Sequence, residues 1–226
     1  FNVYSFDAVG GTANAIAAMV AASAVTAALT TLIMGALSDK LGKRKVFITV
    51  GYIIWGIVTA SFGFITVGNT EKLFHSANAV ATASLIIIIM DCVMTFFGST
   101  GFDAAFNSWV TDVTDDTNRG RAETVMQALP LLAILVVFGL LDGYKQRGEW
   151  KTFFLIVGIT TTVVGVLGLF FLKDKPGIKA NNENYFKNII YGFKPSTVKA
   201  NKMLYVAFAA FCIFNIAYQV FMPYLI

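Results

Sequence analysis

Two long apolar runs, Thr12 to Ala36 and Val46 to Val67, flank one short basic stretch, Gly35-Ala-Leu-Ser-Asp39-Lys40-Leu-Gly42-Lys43-Arg44-Lys45. Each run exceeds the roughly 20 apolar residues with which a helix crosses about 30 Å of hydrocarbon. Inside lipid the backbone finds no water to bond, so such a run satisfies its own amides and carbonyls as a helix. Two spans therefore meet at a tight reversal. Its four cations, Lys40, Lys43, Arg44 and Lys45, mark the cytoplasmic side. A soluble fold is excluded, because 57% of residues are hydrophobic and 13% charged, against about a quarter charged in soluble domains. The net charge of +4 lies in loops, so it speaks of orientation in a bilayer and of anionic headgroups rather than of nucleic acid. Cys92 and Cys212 both sit in apolar runs, where a disulfide is not expected.

Within the reversal, Gly35 is expected to let one helix end approach its neighbour, and Gly42 to allow the sharp turn. Asp39 can accept bonds from orphan amides at a helix end, and the Arg44 fork can hold a carboxylate on another loop. The order Gly-x-Leu-Ser-Asp-Lys-x-Gly-Lys-Arg resembles the signature loop between the second and third helices of the major facilitator superfamily. The resemblance implies an all-α membrane bundle of twelve helices in two six-helix halves, working as a secondary transporter by alternating access. On that reading the chain holds six of the twelve spans, helices two to seven. Residues 1–172 form the N-terminal bundle without its first helix, 173–202 a cytoplasmic connection, and 203–226 the first helix of the second half.

The span from Ala79 to Val110 carries two acids, Asp91 and Asp103, in otherwise apolar sequence, and an acid inside a membrane span is a functional candidate by default. Asp103 lies nine residues before Asp112, roughly 13 Å from the cytoplasmic end and close to the midplane, where transporter substrates bind. Asp91 is about 18 Å nearer the external face. Asp91, Thr95, Ser99, Asp103, Asn107 and Thr111 recur at every fourth residue and form one ridge. Such a row is expected to face the bundle interior or a water-filled cavity, with the hydroxyls bonding neighbouring helices and the Asp103–Asn107 pair contacting solute.

The following Asp112, Asp115, Asp116, Arg119 and Arg121 are candidates to pair with the Arg44 loop. Together with Gly35, Asp39, Gly42, Lys43 and Arg44, the residues Asp112, Arg119 and Arg121 make up an expected conformational switch. This region resembles the glycoside-pentoside-hexuronide cation symporters, in which an acid on helix four holds sugar hydroxyls; Asp103 matches it. The sodium-coupled members carry two aspartates four and eight residues before the glycine equivalent to Gly35. Here Thr31 and Ala27 stand in those places, so that sodium site is not carried over. A proton on Asp103 or Asp91 is the simpler coupling ion, and sodium coupling elsewhere and uniport stay open.

The remaining spans are quieter. Ala17, Ala21, Ala24 and Ala28 follow the small-xxx-small spacing of a packing face. Gly51, Gly56 and Gly63 with Trp55, and Gly158, Gly165 and Gly168, read as scaffold. Asn69 to Asn78 and Asp142 to Lys151 read as external loops, and Gln127 with Pro130 marks a bend in the fifth helix. Residues Tyr185 to Phe193 form an amphipathic segment. Asn215, Tyr218 and Gln219 share one face of the last span and suit polyol hydroxyls. Thirteen of the 17 Lys and Arg residues fall in loops assigned to the cytoplasm. No span carries a nucleophile and base or a metal-ligand cluster, so neither an enzyme nor a cofactor is expected.

The whole reads as a monomeric multi-pass protein of the inner (cell) membrane, moving a sugar or glycoside with a proton or sodium ion. Its alternatives are a lipid or drug transporter of the same type, or a sensor that does not transport.

Overall fold

The computed structural model describes residues 4–5, 9–75, 78–174 and 194–221, with the side chains of the last helix described as far as Ala217. Every regular element among them is helical, and the chain divides into two compact units, Phe1–Asn181 and Asn182–Ile226. The first unit holds α1 (Ala13–Leu41), α2 (Arg44–Phe62) and the short α3 (Val67–Phe74). A rod follows, built from α4 (Ala79–Ser99), a π-helical segment (Thr100–Phe106) and α5 (Asn107–Val113). A second rod runs through α6 (Arg119–Val136), a π turn (Val137–Leu141) and α7 (Asp142–Gln146), and α8 (Trp150–Phe171) closes the unit. The two rods, α1, α2 and α8 are each long and apolar enough to cross a membrane. The second unit contains α9 (Pro195–Ala200) and α10 (Lys202–Phe221).

The reversal between α1 and α2 is shorter than its polar residues suggest. Helix α1 continues through Asp39 and Lys40 to Leu41, and the turn consists of Gly42 and Lys43 alone. Gly42 adopts φ 62°, and its amide donates to the Ser38 carbonyl at 2.9 Å. A residue without Cβ takes that left-handed conformation at little cost, which is why the helix stops there. Gly35 is thus inside a helix, and a methyl in its place would meet only the Ala104 methyl at an ordinary 3.9 Å. The stretch from Asn69 likewise begins inside α3, and α7 takes up much of the expected loop after Leu141.

Helix α2 is the hub, packing on α8, on α4 and on the π segment. Its contact with α8 runs through glycines: a methyl on Gly56 would stand 2.5 Å from the Gly158 carbonyl oxygen, and one on Gly158 2.5 Å from the Gly56 carbonyl oxygen. On its other side, a methyl on Gly51 would lie 2.8 Å from the Gly101 Cα. The scaffold glycines are therefore the points where three backbones touch.

At the end away from Gly42, buried Tyr4, Phe62 and Phe154 form a ring cluster with Trp150. The Tyr4 hydroxyl donates to the carbonyls of Phe62 and Ile65, and burial pushes its pKa up to about 12.

The face of α1 that meets α4 carries Met19, Ser23, Thr26 and Thr30, whereas Ala17, Ala21, Ala24 and Ala28 lie on the exposed side. The small-residue spacing is thus not the contact used between the described residues. A run of alanines offers small spacing on several faces, and the buried Met19 decides which one packs. No residue of α6 is buried, Gln127 and Pro130 included.

Candidate functional site

Three polar constellations emerge from this packing. The first is the π segment. Its wider turn, bonding i to i+5, recurs at functional sites because it re-aims side chains without ending a helix. Ala104 and Ala105 turn inward while Asp103 and Asn107 are exposed. The Asn107 amide donates to the Asp103 carbonyl at 3.3 Å, taking up a carbonyl of the widened turn. The pair expected from the sequence is therefore brought together. Asp103 also acts electrostatically on Tyr52 of α2.

Beside this pair runs an aromatic ladder that the sequence reading did not single out. Phe102 stacks on Phe106 at 5.8 Å between centroids, and Phe106 on Trp109 at 5.9 Å. The signal was available in the spacing of Phe102, Phe106 and Trp109, which places them on one helix face.

The expected ridge does not behave as one row. Asp91 and Ser99 are buried, but Asp103, Asn107 and Thr111 are exposed. The Thr111 hydroxyl donates to the Asn107 carbonyl of its own helix at 3.1 Å rather than to a neighbour. This back-bonding is the local option that Ser and Thr take in helices.

The second constellation is Asp91 itself, 6% exposed, which accepts a hydrogen bond at Oδ2 from the Ser23 hydroxyl of α1. It lies between α1 and α4, well away from Asp103 along the rod.

The third lies at the basic end, around Gly42. Arg44 is buried at the start of α2 and reaches three partners: Ser38, Asp39 and Asp112. Its Nε donates to the Asp112 carboxylate at 3.1 Å, tying α2 to the end of α5. Asp39 thus meets a guanidinium in the last turn of α1, not a helix N-terminus.

The remaining charges here take other roles. Asp115 folds back on its own turn: its carboxylate accepts from the Thr117 hydroxyl, the Thr117 amide at 2.9 Å and the Asn118 amide at 3.1 Å. These bonds, with that of the Thr117 hydroxyl the strongest, hold its pKa below the ordinary value. Asp116 is exposed and has no Arg44 contact among the described residues. Arg119 donates to the Thr111 carbonyl at 3.0 Å and closes the α5–α6 turn, while Arg121 and Lys43 are exposed.

Two residues after α8 complete this end. The Asp174 carboxylate accepts from the Lys45 amide at 2.8 Å and caps the first turn of α2, and the Trp109 indole donates to the Lys173 carbonyl at 2.9 Å. Neither partner follows from sequence, because each joins segments far apart in the chain. Replacing Asp174 by alanine is expected to lower stability by about 1 kcal/mol, the usual worth of a helix cap. The amide proton of Lys45 should exchange faster in that variant. Asp174→Asn, which keeps an acceptor, should recover most of the loss; equal loss in both variants would refute the capping role.

In the second unit, the Asn215 amide donates to the Phe211 carbonyl of its own helix at 2.8 Å. The side chains of Tyr218 and Gln219, and the segment Tyr185 to Phe193, lie outside the described residues.

A family model described as Major Facilitator Superfamily matches residues 3–226. None of the curated proteins and none of the solved structures matches the chain.

Proposed function

The chain belongs to the major facilitator superfamily, and from that premise we propose that it is a secondary active transporter of a small polar solute, a sugar or glycoside, coupled to a cation. The observation that carries this reading is the exposed Asp103–Asn107 pair beside the stacked ladder of Phe102, Phe106 and Trp109. A carboxylate accepts from solute hydroxyls in bidentate fashion, an amide both donates and accepts, and flat rings cover the apolar faces of a pyranose. Asn215, Tyr218 and Gln219 would meet the same solute from the other half. The basic end faces the cytoplasm of a cell whose inner membrane holds the protein as a monomer. There the Arg44 cluster and the adjoining loop of Arg119 and Arg121 hold one of the two access states.

The test is uptake of labelled glycosides and pentoses into proteoliposomes of the full-length protein, under an imposed proton gradient and separately a sodium gradient. Accumulation of one sugar under one gradient is expected. Asp103→Asn should reduce both binding and uptake of that sugar by about tenfold or more, since a hydrogen bond to a charged group is worth about 1.5–3 kcal/mol. Unchanged uptake in the variant would remove Asp103 from the solute site. No sugar movement under either gradient would overturn the sugar reading in favour of lipid or drug movement, or of sensing.

A further inference from the structure

Asp91 and Ser23 form a polar site that solute binding at Asp103 leaves unused. They face each other across the contact between α1 and α4. Ile87, one turn before Asp91, and Met19, one turn before Ser23, are buried hydrophobic residues. Twelve residues separate Asp91 from Asp103, roughly 18 Å at 1.5 Å per residue, too far for one small solute to touch both.

The charged groups on elements packed against α4 do not neutralise Asp91. On α1 they are Asp39 and Lys40, about 24 Å or more beyond Ser23 along the helix. Arg44 and Lys45 of α2 lie at that same end, with Arg44 engaged by Asp39 and Asp112. Glu71 and Lys72 of α3 are exposed, and Asp103 on the π segment carries the same sign. The polar contact the structure gives Asp91 is the Ser23 hydroxyl.

We infer that Asp91, with Ser23 as its hydrogen-bond partner, is the proton-binding site that couples transport, separate from the solute-holding Asp103. The inference rests on the transporter reading above. An acid inside a span is costly and marks a proton or ion path. A metal ion stripped of its water needs a ring of oxygens, whereas this site offers one carboxyl and one hydroxyl. A proton needs a single lone pair. The Ser23 hydroxyl serves both forms, donating to the carboxylate and accepting from the carboxyl O–H after the hydroxyl rotates.

The step balances: a proton from water on one side bonds a carboxyl oxygen, and the same O–H bond breaks to return it to water on the other, with nothing oxidised. Because the pair joins two helices, a shift of α1 against α4 makes or breaks it. Protonation and conformation are thereby linked.

The test uses the full-length protein in proteoliposomes, with the labelled sugar that the wild type accepts from the panel above. Asp91→Asn is nearly isosteric, and its thermal midpoint is compared with that of the wild type. Proton-driven accumulation should fall about tenfold or more, towards the equilibrium level. Exchange of sugar across the membrane, which needs no net proton movement, should fall far less, whereas Asp103→Asn loses both. Ser23→Ala should keep accumulation but move its pH profile. Wild-type accumulation by Asp91→Asn, a parallel loss of exchange, or accumulation driven by sodium alone would overturn the inference. If the wild type moves no sugar, the transporter reading fails on its own terms. The site is then decided by infrared titration of the purified protein in lipid: a carboxyl band that titrates in the wild type and is lost in Asp91→Asn supports it, and an unchanged spectrum overturns it.

Discussion

Replacing Gly56 by valine is expected to separate α2 from α8 and to destabilise the protein by more than about 3 kcal/mol, beyond the usual range for an overpacked site. The reason is the identity of the obstructing atoms. A Cβ at Gly56 would stand 2.3 Å from the Thr162 hydroxyl oxygen, which can rotate away, but also 2.5 Å from the Gly158 carbonyl oxygen and the Thr162 amide nitrogen, which cannot. Helices in lipid are held together by close packing and hydrogen bonds, without a hydrophobic drive of their own. A forced separation weakens contacts along the whole helix pair. Alanine carries the same Cβ and should show most of the effect. Gly68→Ala, where nothing lies within 4 Å of the new methyl, should stay within about 0.5 kcal/mol of the wild type. Thermal unfolding and gel filtration in detergent measure all three. A Gly56→Ala protein as stable as Gly68→Ala would show that α2 and α8 do not approach this closely.

The helical architecture was legible because lipid leaves an apolar run little choice: the long runs of the first unit became helices, and Gly56 and Gly158 were recognisable as scaffold. Their pairing was not legible, since spacing within a helix says which residues share a face but not which helix that face meets. The alanine face of α1 failed for the same reason. Helix ends were misplaced where polar residues were taken as loop. Asp39 and Lys40 are polar because they lie at the end of a long helix, and the backbone stays helical until Gly42 supplies a left-handed residue. No composition announces a π segment, so the division of the Asp91-to-Thr111 row into a buried and an exposed half could not be foreseen.

For the site, opposite charges are readable at a distance: Arg44 and Asp112 were matched by charge and by their places at the same end of neighbouring spans. Single hydrogen bonds are not. The Asp174 cap crosses 129 residues of chain, and Ser23 is one hydroxyl in an alanine-rich helix. Asp115 and Asp116 resembled Asp112 in type, yet the backbone turn at Thr117 claims Asp115 locally.

Arg44→Ala is expected to cost about 3 kcal/mol, the lower end of the range for removing one partner from a buried ion pair, because Asp39 is 55% exposed at its side chain. Arg44→Lys should recover only part of that. A lysine keeps the charge but is a single point donor, and Arg44 uses a planar fork to reach Ser38, Asp39 and Asp112 at once. Function should respond differently from stability. If the cluster forms in only one access state, each 1.4 kcal/mol removed shifts the ratio of states about tenfold. Solute flux in Asp112→Ala should then fall by about that factor while affinity for solute, set elsewhere, changes by less than about twofold. The Arg44→Ala and Asp112→Ala effects on stability should be non-additive by about 0.5–3 kcal/mol in a double-mutant cycle, as for residues in direct contact. Strict additivity would mean that the 3.1 Å contact contributes nothing. Equal losses of flux and affinity would place the cluster in solute binding rather than in the exchange between states.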